Sequence, residues 1–448
     1  MFYLKDKKLR KLLFFIFSLV TIFVAYQNSG VRYNFKLITL YVVLAEFSLY
    51  GVFLSIDNWS YSLNKTFHIF TYFFLGIAPI LQFKSDICFF NSKALLEKTY
   101  FDLGLVLLVI QIAYLLGYRF LVRFFKKKEI VLSLKEKKKY PNGIFILISL
   151  LAFLIFLILI KFDLNVIFKR PKNHWQKANT NFGLLGYTLL LIIRLVPGLV
   201  LVLYNFYYGR TFSKTFFILI FILLISAFPL SLNRGDLLTI YLPVIILYIP
   251  IFTRKWVYSI VYFIGVFIIF PILNFFRVSS NTIDLGENLF LSPHLDAFHN
   301  FGHLYKEGIV TNGKQLLGSI FFFIQESNWD NRPVGTGQMI AEMKNFSYTN
   351  ISMPFWGEGY ANFGFFGVFI FLIVIIVFNA SLDVNYHVKK CRNKIFIATY
   401  LFFLGMEFYL LRGDLFSSVK KISSFLLALV FIQLFFKLSQ LKNRFINN

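Results

Sequence analysis

Two cysteines in 448 residues, Cys88 and Cys391, leave no disulfide framework to build on, and no Cys/His spacing fits a structural zinc. Acidic residues are scarce: 21 Asp and Glu stand against 46 Lys and Arg, for a formal charge of +25 at pH 7. Charge of either sign is scarce, at 15% of residues, where an ordinary globular domain carries about 25%. There is no P-loop and no His-Glu-x-x-His helix, which argues against a nucleotide-driven or zinc-peptidase reading. A cationic excess of this size raises nucleic acid as a partner, but the Lys and Arg residues sit in short stretches between apolar blocks. That is the pattern of membrane topology, not of a nucleic-acid-binding face, so no nucleic-acid partner is expected.

What the chain does have is apolar length. Hydrophobic residues make up 58%, with 61 Phe and 25 Tyr, and the mean hydropathy is +0.69. A helix needs about 20 apolar residues to cross a bilayer, and by that rule about twelve spans are expected. They fall at 12–27, 36–55, 66–83, 100–122, 143–163, 184–207, 215–231, 236–252, 255–275, 357–380, 394–411 and 417–437. The expected fold is an all-α integral membrane protein in three parts: spans in 1–275, a large loop at 276–356, and three further spans with a tail in 357–448. The pair 215–231 and 236–252 is joined only by Leu232-Asn-Arg-Gly235 and must form a tight helical hairpin. The basic N-terminus followed by Leu12–Tyr26 resembles a signal peptide but lacks a small-x-small cleavage site, so it reads as an uncleaved first span.

Basic loops mark the cytoplasmic side. With the N-terminus inside, the basic loops 123–142, 208–214, 253–256, 381–393 and the C-terminal tail all fall inside. Both termini are then cytoplasmic, the 276–356 loop lies outside, and the two cysteines are on opposite sides. The exception is 164–183, with Lys169, Arg170, Lys172 and Lys177; it reads as a strip along the headgroups, either meeting anionic membrane lipids or docking a phosphorylated lipid. The apolar run 316–324 is too short to span and is expected at the surface.

The charges near the membrane carry the chemical information, since ionised groups are expensive there. Two outer turns share a tripeptide, Arg234-Gly235-Asp236 and Arg412-Gly413-Asp414. Glycine permits the turn and aspartate can cap the next helix. Each arginine then either pairs with its neighbouring aspartate, or joins Arg277 in holding phosphate through its planar fork. Arg194, inside a span, is the main charge away from the outer ends. The loop carries Asp296, His299 and His303; the histidines share a helical face, but with no third ligand at a firm spacing, hydrogen bonding to a sugar or helix packing is expected rather than a metal. Arg332 precedes a Pro/Gly-rich turn, and Trp329 and Trp356 are candidates for stacking on sugar rings. Glu358 lies in Gly357-Glu-Gly-Tyr-Ala-Asn-Phe-Gly364, whose glycines let another backbone or a ligand approach closely; it either pairs with an arginine or acts on a sugar hydroxyl.

The segments Asp296-Ala-Phe-His-Asn300, Asn328-Trp-Asp-Asn-Arg-Pro-Val-Gly-Thr-Gly337 and Gly357–Gly364, with the two Arg-Gly-Asp turns, resemble those of Wzy-type O-antigen or oligosaccharide repeat-unit polymerases. The resemblance covers roughly 230–415. It implies a membrane-embedded, GT-C-like, metal-independent glycosyltransferase without cofactor, working at the periplasmic face of a bacterial inner membrane. Its substrates would be oligosaccharides linked to undecaprenyl pyrophosphate, and a chain-length regulator protein would be a partner. By the same resemblance, Arg234, Arg277 and Arg412 would hold the pyrophosphate leaving group. Asp296 or Glu358 would orient or deprotonate the acceptor hydroxyl, and Arg332 would steady the loop or a phosphate. The chain departs from the family pattern at Glu326, where a basic residue is expected. An O-antigen ligase and a lipid-linked oligosaccharide flippase are the competing expectations.

Overall fold

The structure, a computed structural model, describes residues 2–27, 30–55, 59–127, 140–168, 174–277, 286–324, 328–390 and 393–447; of 2–5, 174–185, Tyr187, Asn274, Phe276, Arg277 and 442–447 only the backbone is described. The chain is 78% helix, with no strand among the described residues. In chain order the principal helices are α1 (Phe2–Tyr26), α2 (Phe35–Leu54), α3 (Leu63–Lys84), α4 (Glu97–Lys127) and α5 (Asn142–Leu159). They continue as α6 (His174–Tyr208), α7 (Lys214–Ser226), α8 (Arg234–Tyr248) and α9 (Val257–Leu273). The large loop contributes α10 (Ala297–Lys306), α11 (Lys314–Ile320) and α12 (Thr336–Met343), and the chain closes with α13 (Phe355–His387), α14 (Lys394–Arg412) and α15 (Leu415–Asn447).

Nine helices among the described residues are long and apolar enough to cross a membrane. The remaining expected spans correspond to α7, α8 and α9, which are shorter. The 13 residues of α7 rise only about 20 Å at 1.5 Å per residue, short of a ~30 Å hydrocarbon core. Asn233 starts α8 by accepting a hydrogen bond from Asp236 N at 2.8 Å, so the turn between α7 and α8 is as tight as the sequence requires.

The span α3 is wholly buried and forms the axis of the bundle. A lysine holds each of its ends. Lys84 Nζ donates to the last carbonyls of α1 and just beyond it, at Val24 O, Ala25 O and Gln27 O. Lys65 Nζ donates to Trp59 O, Ser60 O and Lys255 O. A cation at the end of a helix satisfies carbonyls that have no intrahelical partner. Asp383 of α13 caps the start of α3, accepting from Leu63 N at 3.0 Å and Asn64 N at 3.2 Å. Small residues set the closest approaches, as at other membrane helix interfaces. A Cβ on Gly405 of α14 would lie 2.5 Å from Leu238 O of α8, so these two backbones nearly touch.

The bundle has two chemically different ends. At one, Lys126 lies over Trp59, Trp59 stacks on His387, Ser60 bonds Thr253 O, and Lys394 lies over Tyr207. The described parts of the basic stretches 123–142, 208–214, 253–256 and 381–393 therefore lie at one end. The 286–356 segment packs at the other, where Gln82 of α3 donates to Phe290 O and Leu295 O. This is called the loop end below. In the loop, α11 packs on α15 and α10 on α4 and α3.

The 357–380 stretch, expected as one span, is interrupted. Phe363 (φ −142°, ψ 23°) and Gly364 (φ 61°, ψ −146°) break the helix, the latter in a region that essentially only glycine occupies. Residues 355–362 fold back on the beginning of the 365–387 span. Phe355 and Phe371 rings lie 4.9 Å apart, and a Cβ on Gly359 would meet Gly367 O at 2.6 Å. The close approach anticipated for this glycine-rich stretch is thus made by its own backbone. The carbonyls freed by the break are taken up by the loop: Thr311 N bonds Ala361 O at 2.7 Å and Gly313 N bonds Asn362 O at 3.0 Å.

Candidate active site

The two Arg-Gly-Asp turns meet at the loop end, where α8 and α14 run side by side. Gly235 makes the contact possible: a Cβ there would lie 2.6 Å from the Tyr409 ring and 3.1 Å from Lys421 Nζ. Neither aspartate of the two tripeptides pairs with its own arginine. Asp236 pairs with Lys421 of α15 at 2.6 Å, and Arg412 pairs with Asp296 from the large loop at 3.4 Å. Asp414 serves the backbone, accepting from Gly337 N at 3.0 Å and Ser417 N at 3.2 Å. Burial pushes its carboxyl above the usual range, and these N–H bonds oppose that shift.

Asp296 is the organising carboxylate. It lies immediately before α10, is 1% exposed, and accepts from Asn300 Nδ2 at 2.9 Å, from Ser352 N at 3.2 Å and from the Ser352 hydroxyl. Asn300 also donates to Ser352 O at 2.8 Å, tying α10 to the segment before α13. With four donors around it, Asp296 is a fixed negative point that holds Arg412. The Arg412 side chain remains 30% exposed, and its Nε is buried without an acceptor among the described residues. Such an orphaned donor is costly unless something else satisfies it.

Arg234 lies over the Phe270 ring, its Cζ 3.6 Å from the centroid. Such a cation–π contact contributes about 0.5–1 kcal/mol at exposed sites and about 2 kcal/mol when desolvated, and Arg234 is half-buried. Phe270 in turn meets His294 edge-on at 5.7 Å, two residues before Asp296. Arg412 lies over Phe74 at 5.8 Å. A run of aromatic rings and loop residues thus links the two arginines. Arg332 donates to Phe322 O at 3.1 Å and lies over Phe416 at 5.0 Å; it also faces the charge of Lys420. Arginine and lysine charges therefore crowd the starts of α8 and α15 and the end of α14.

Glu358 is 1% exposed and in contact with none of these arginines among the bonds seen. Its two oxygens are occupied by Thr336 Oγ1 at 2.6 Å and Leu415 N at 2.9 Å. It ties the folded-back 355–362 segment to α12 and to the first turn of α15, where a carboxylate favours the helix N-terminus. The neighbouring acid is Asp414, and the sequence gives no sign that these two would meet.

Among the loop residues expected to meet a sugar, His299 is fully buried. Its Nε2 lies 3.0 Å from Ser92 Oγ and 2.9 Å from His303 Nε2, which leaves that atom engaged within the protein. Burial lowers His299 to about 3 and His303 to about 4. Trp356 has 0% exposure, with its ring edge-on to Phe67 at 5.5 Å, so it is core rather than a stacking platform. Trp329 stays half-exposed, against Phe321 at 6.3 Å. Arg277 ends the helix that continues α9, with only its backbone described; Arg170, Lys172 and Glu326 lie outside the described residues. Among the described residues no cluster of three or more His, Cys, Asp or Glu side chains is placed to hold a metal ion.

No protein-family model matches the chain, and neither a curated protein nor a solved structure is found to be similar to it.

Proposed function

We propose that the chain is a multi-pass membrane glycosyltransferase that uses a lipid pyrophosphate as leaving group, of the oligosaccharide repeat-unit polymerase type. The observation that carries this reading is Arg412: fixed on one side by buried Asp296, partly open on the other, with a buried N–H that no group among the described residues accepts. A planar fork held this way suits phosphate oxygens, which it binds in two parallel bonds. The basic residues gathered at the opposite end of the bundle support a cytoplasmic placement for that end and a periplasmic one for the loop end. A site on the periplasmic side has no nucleotide sugars to draw on, which favours a lipid-linked donor.

In the proposed reaction, an acceptor hydroxyl on the newest lipid-linked oligosaccharide attacks the anomeric carbon of the growing chain. The bond from that carbon to the pyrophosphate oxygen breaks, and undecaprenyl pyrophosphate leaves with the electron pair. The hydroxyl proton passes to solvent. Arg412 and Arg234 stabilise the charge that develops on the leaving oxygen. Asp296 positions Arg412. Glu358 has both oxygens committed to Thr336 and Leu415, so its part is to shape the site.

The test is the lipopolysaccharide ladder of a deletion strain complemented with variants. Arg412→Ala and Arg234→Ala are expected to express normally and to yield cores capped with a single repeat. A normal ladder from both would overturn the clamp. Loss of all capped core would point to a ligase, and repeat units retained on the cytoplasmic leaflet to a flippase.

A further inference from the structure

In the large loop, α11 and the turn that follows it have their polarity inverted. Gln315, Gly318, Ser319 and Phe322 are buried, while Leu317, Ile320, Phe321 and Phe323 lie on the outside and are 40% to 59% exposed. The buried side is small or polar except for Phe322. A Cβ on Gly318 would lie 2.9 Å from Pro333 Cβ, Ser319 Oγ donates to Gln315 O at 2.8 Å, and the helix rests on α15 and α13. In water this arrangement is costly, because the large apolar side chains are the ones left outside. An apolar face of this kind marks a protein or membrane partner.

Two observations favour the membrane. The first is continuity. A Cβ on Gly313, just before α11, would lie 3.1 Å from the Phe363 ring. Phe363 leads into the exposed row of Phe366 and Phe369, on a helix long and apolar enough to cross a bilayer. The face of α11 therefore prolongs the outer side of a span. The second is the backbone, whose polar groups must find partners within the protein where no water reaches. Leu316 N donates to Asn362 Oδ1 at 2.7 Å, Phe321 N to Leu317 O at 2.9 Å and Ile324 N to Phe321 O at 3.0 Å. Arg332 donates to Phe322 O at 3.1 Å, in the turn itself. Polar residues bound the face: Lys314 is exposed at the start of α11, and Asn328, Asp330 and Asn331 are exposed beyond the turn. Trp329 sits at that far edge, its ring against Phe321. Lysine and tryptophan at the limits of an apolar face suit the headgroup boundary.

We propose that Leu317, Ile320, Phe321 and Phe323 are immersed among the acyl chains of the leaflet at the loop end, so that α11 docks the large loop onto lipid. Such an element lies in the membrane without crossing it. The proposal does not depend on the glycosyltransferase reading. The full chain, with Cys88→Ser and Cys391→Ser, carries a nitroxide on a single new cysteine and is reconstituted in phosphatidylcholine nanodiscs. Leu317→Cys and Phe321→Cys test the face; Phe366→Cys is the reference on the span and Asp330→Cys the reference at the polar edge. All four positions are exposed, so the substitutions leave the core intact. Electron paramagnetic resonance then compares collisions with molecular oxygen, which concentrates in hydrocarbon, against those with a water-soluble nickel chelate. The oxygen-to-chelate ratio at Leu317→Cys and Phe321→Cys is expected to match that at Phe366→Cys and to exceed that at Asp330→Cys at least about tenfold. A ratio equal to that at Asp330→Cys would place the face in water and overturn the proposal. Low collision with both reagents at Leu317→Cys and Phe321→Cys, with Phe366→Cys open to oxygen, would show the face covered by protein, as by a second copy of the chain, and would overturn it as well.

Discussion

Arg412 and Asp296, 116 residues apart in the chain, form an ion pair between the end of a span and the large loop, 3.4 Å from Nη2 to Oδ1. The pair is lopsided: the carboxylate is buried and has other donors, while the guanidinium is partly open. Removing one partner is therefore a different experiment from removing the other. Arg412→Ala leaves Asp296 with Asn300 and Ser352, so thermal unfolding in detergent should change little while product falls about 100-fold or more. Arg412→Lys keeps the charge but not the fork and should recover only part of the activity. Asp296→Asn should lower both stability and activity, because several donors converge on that carboxylate. Equal behaviour of Arg412→Ala and Asp296→Asn in both assays would contradict this division of labour.

Glu358 offers a second contrast. Its oxygens accept from a hydroxyl and a backbone N–H. Glu358→Gln can keep both contacts, with the amide donating to the Thr336 oxygen, and should retain most activity and unfold within ~1 kcal/mol of the parent. Glu358→Ala orphans Leu415 N–H and should cost about 2–3 kcal/mol. An inactive but fully stable Glu358→Gln protein would instead make Glu358 the proton acceptor.

The fold-back before the 365–387 span makes Gly367 irreplaceable. A Cβ there would strike the Gly359 carbonyl, which is backbone and has nowhere to go. Gly367→Ala should destabilise by at least ~3 kcal/mol, the upper range for overpacking. Gly143→Ala, with nothing within 4 Å of the added carbon, should be neutral. Size-exclusion profiles after a heat challenge distinguish the two.

The His299–His303 pair predicts a pH dependence. Both are held neutral in the folded loop, at about 3 and about 4, against about 6.5 in an unfolded chain. Below pH 6.5 the unfolded state binds protons that the folded state does not, so stability falls as pH drops from about 6.5 toward 4. The decline ends once the folded histidines also protonate. Melting curves between pH 4 and 8 should show this slope, and His303→Gln should reduce it while His299 still contributes; an unchanged slope would exclude His303 as a source.

Much of the bundle is legible in the amino-acid order because apolar length decides it. The expected spans 36–55, 66–83 and 394–411 lie within a few residues of Phe35–Leu54, Leu63–Lys84 and Lys394–Arg412. The fold-back at Phe363–Gly364 is legible only in part: the glycines and Glu358 mark the stretch as unusual for a span, but only the backbone angles at Gly364 show where the chain turns. The Arg-Gly-Asp turns are recognisable as a pair, but their partners are not: Lys421 and Asp296 are remote in sequence, and local spacing suggests the adjacent acid instead. Glu358 stands out by its cost in an apolar setting, yet its partners Thr336 and Leu415 N–H carry no sequence signal.

The fold-back also bears on how the substrate of the proposed glycosyltransferase would enter. Residues 355–362 lie against the span they precede, and loop N–H groups of Thr311 and Gly313 hold the carbonyls at the bend. At this junction the loop is braced by the bundle like a roof beam set into its wall. These bonds oppose a lid-like swing there; for the proposed glycosyltransferase, a long lipid-linked glycan then comes in sideways, between helices, beneath a ceiling that stays put.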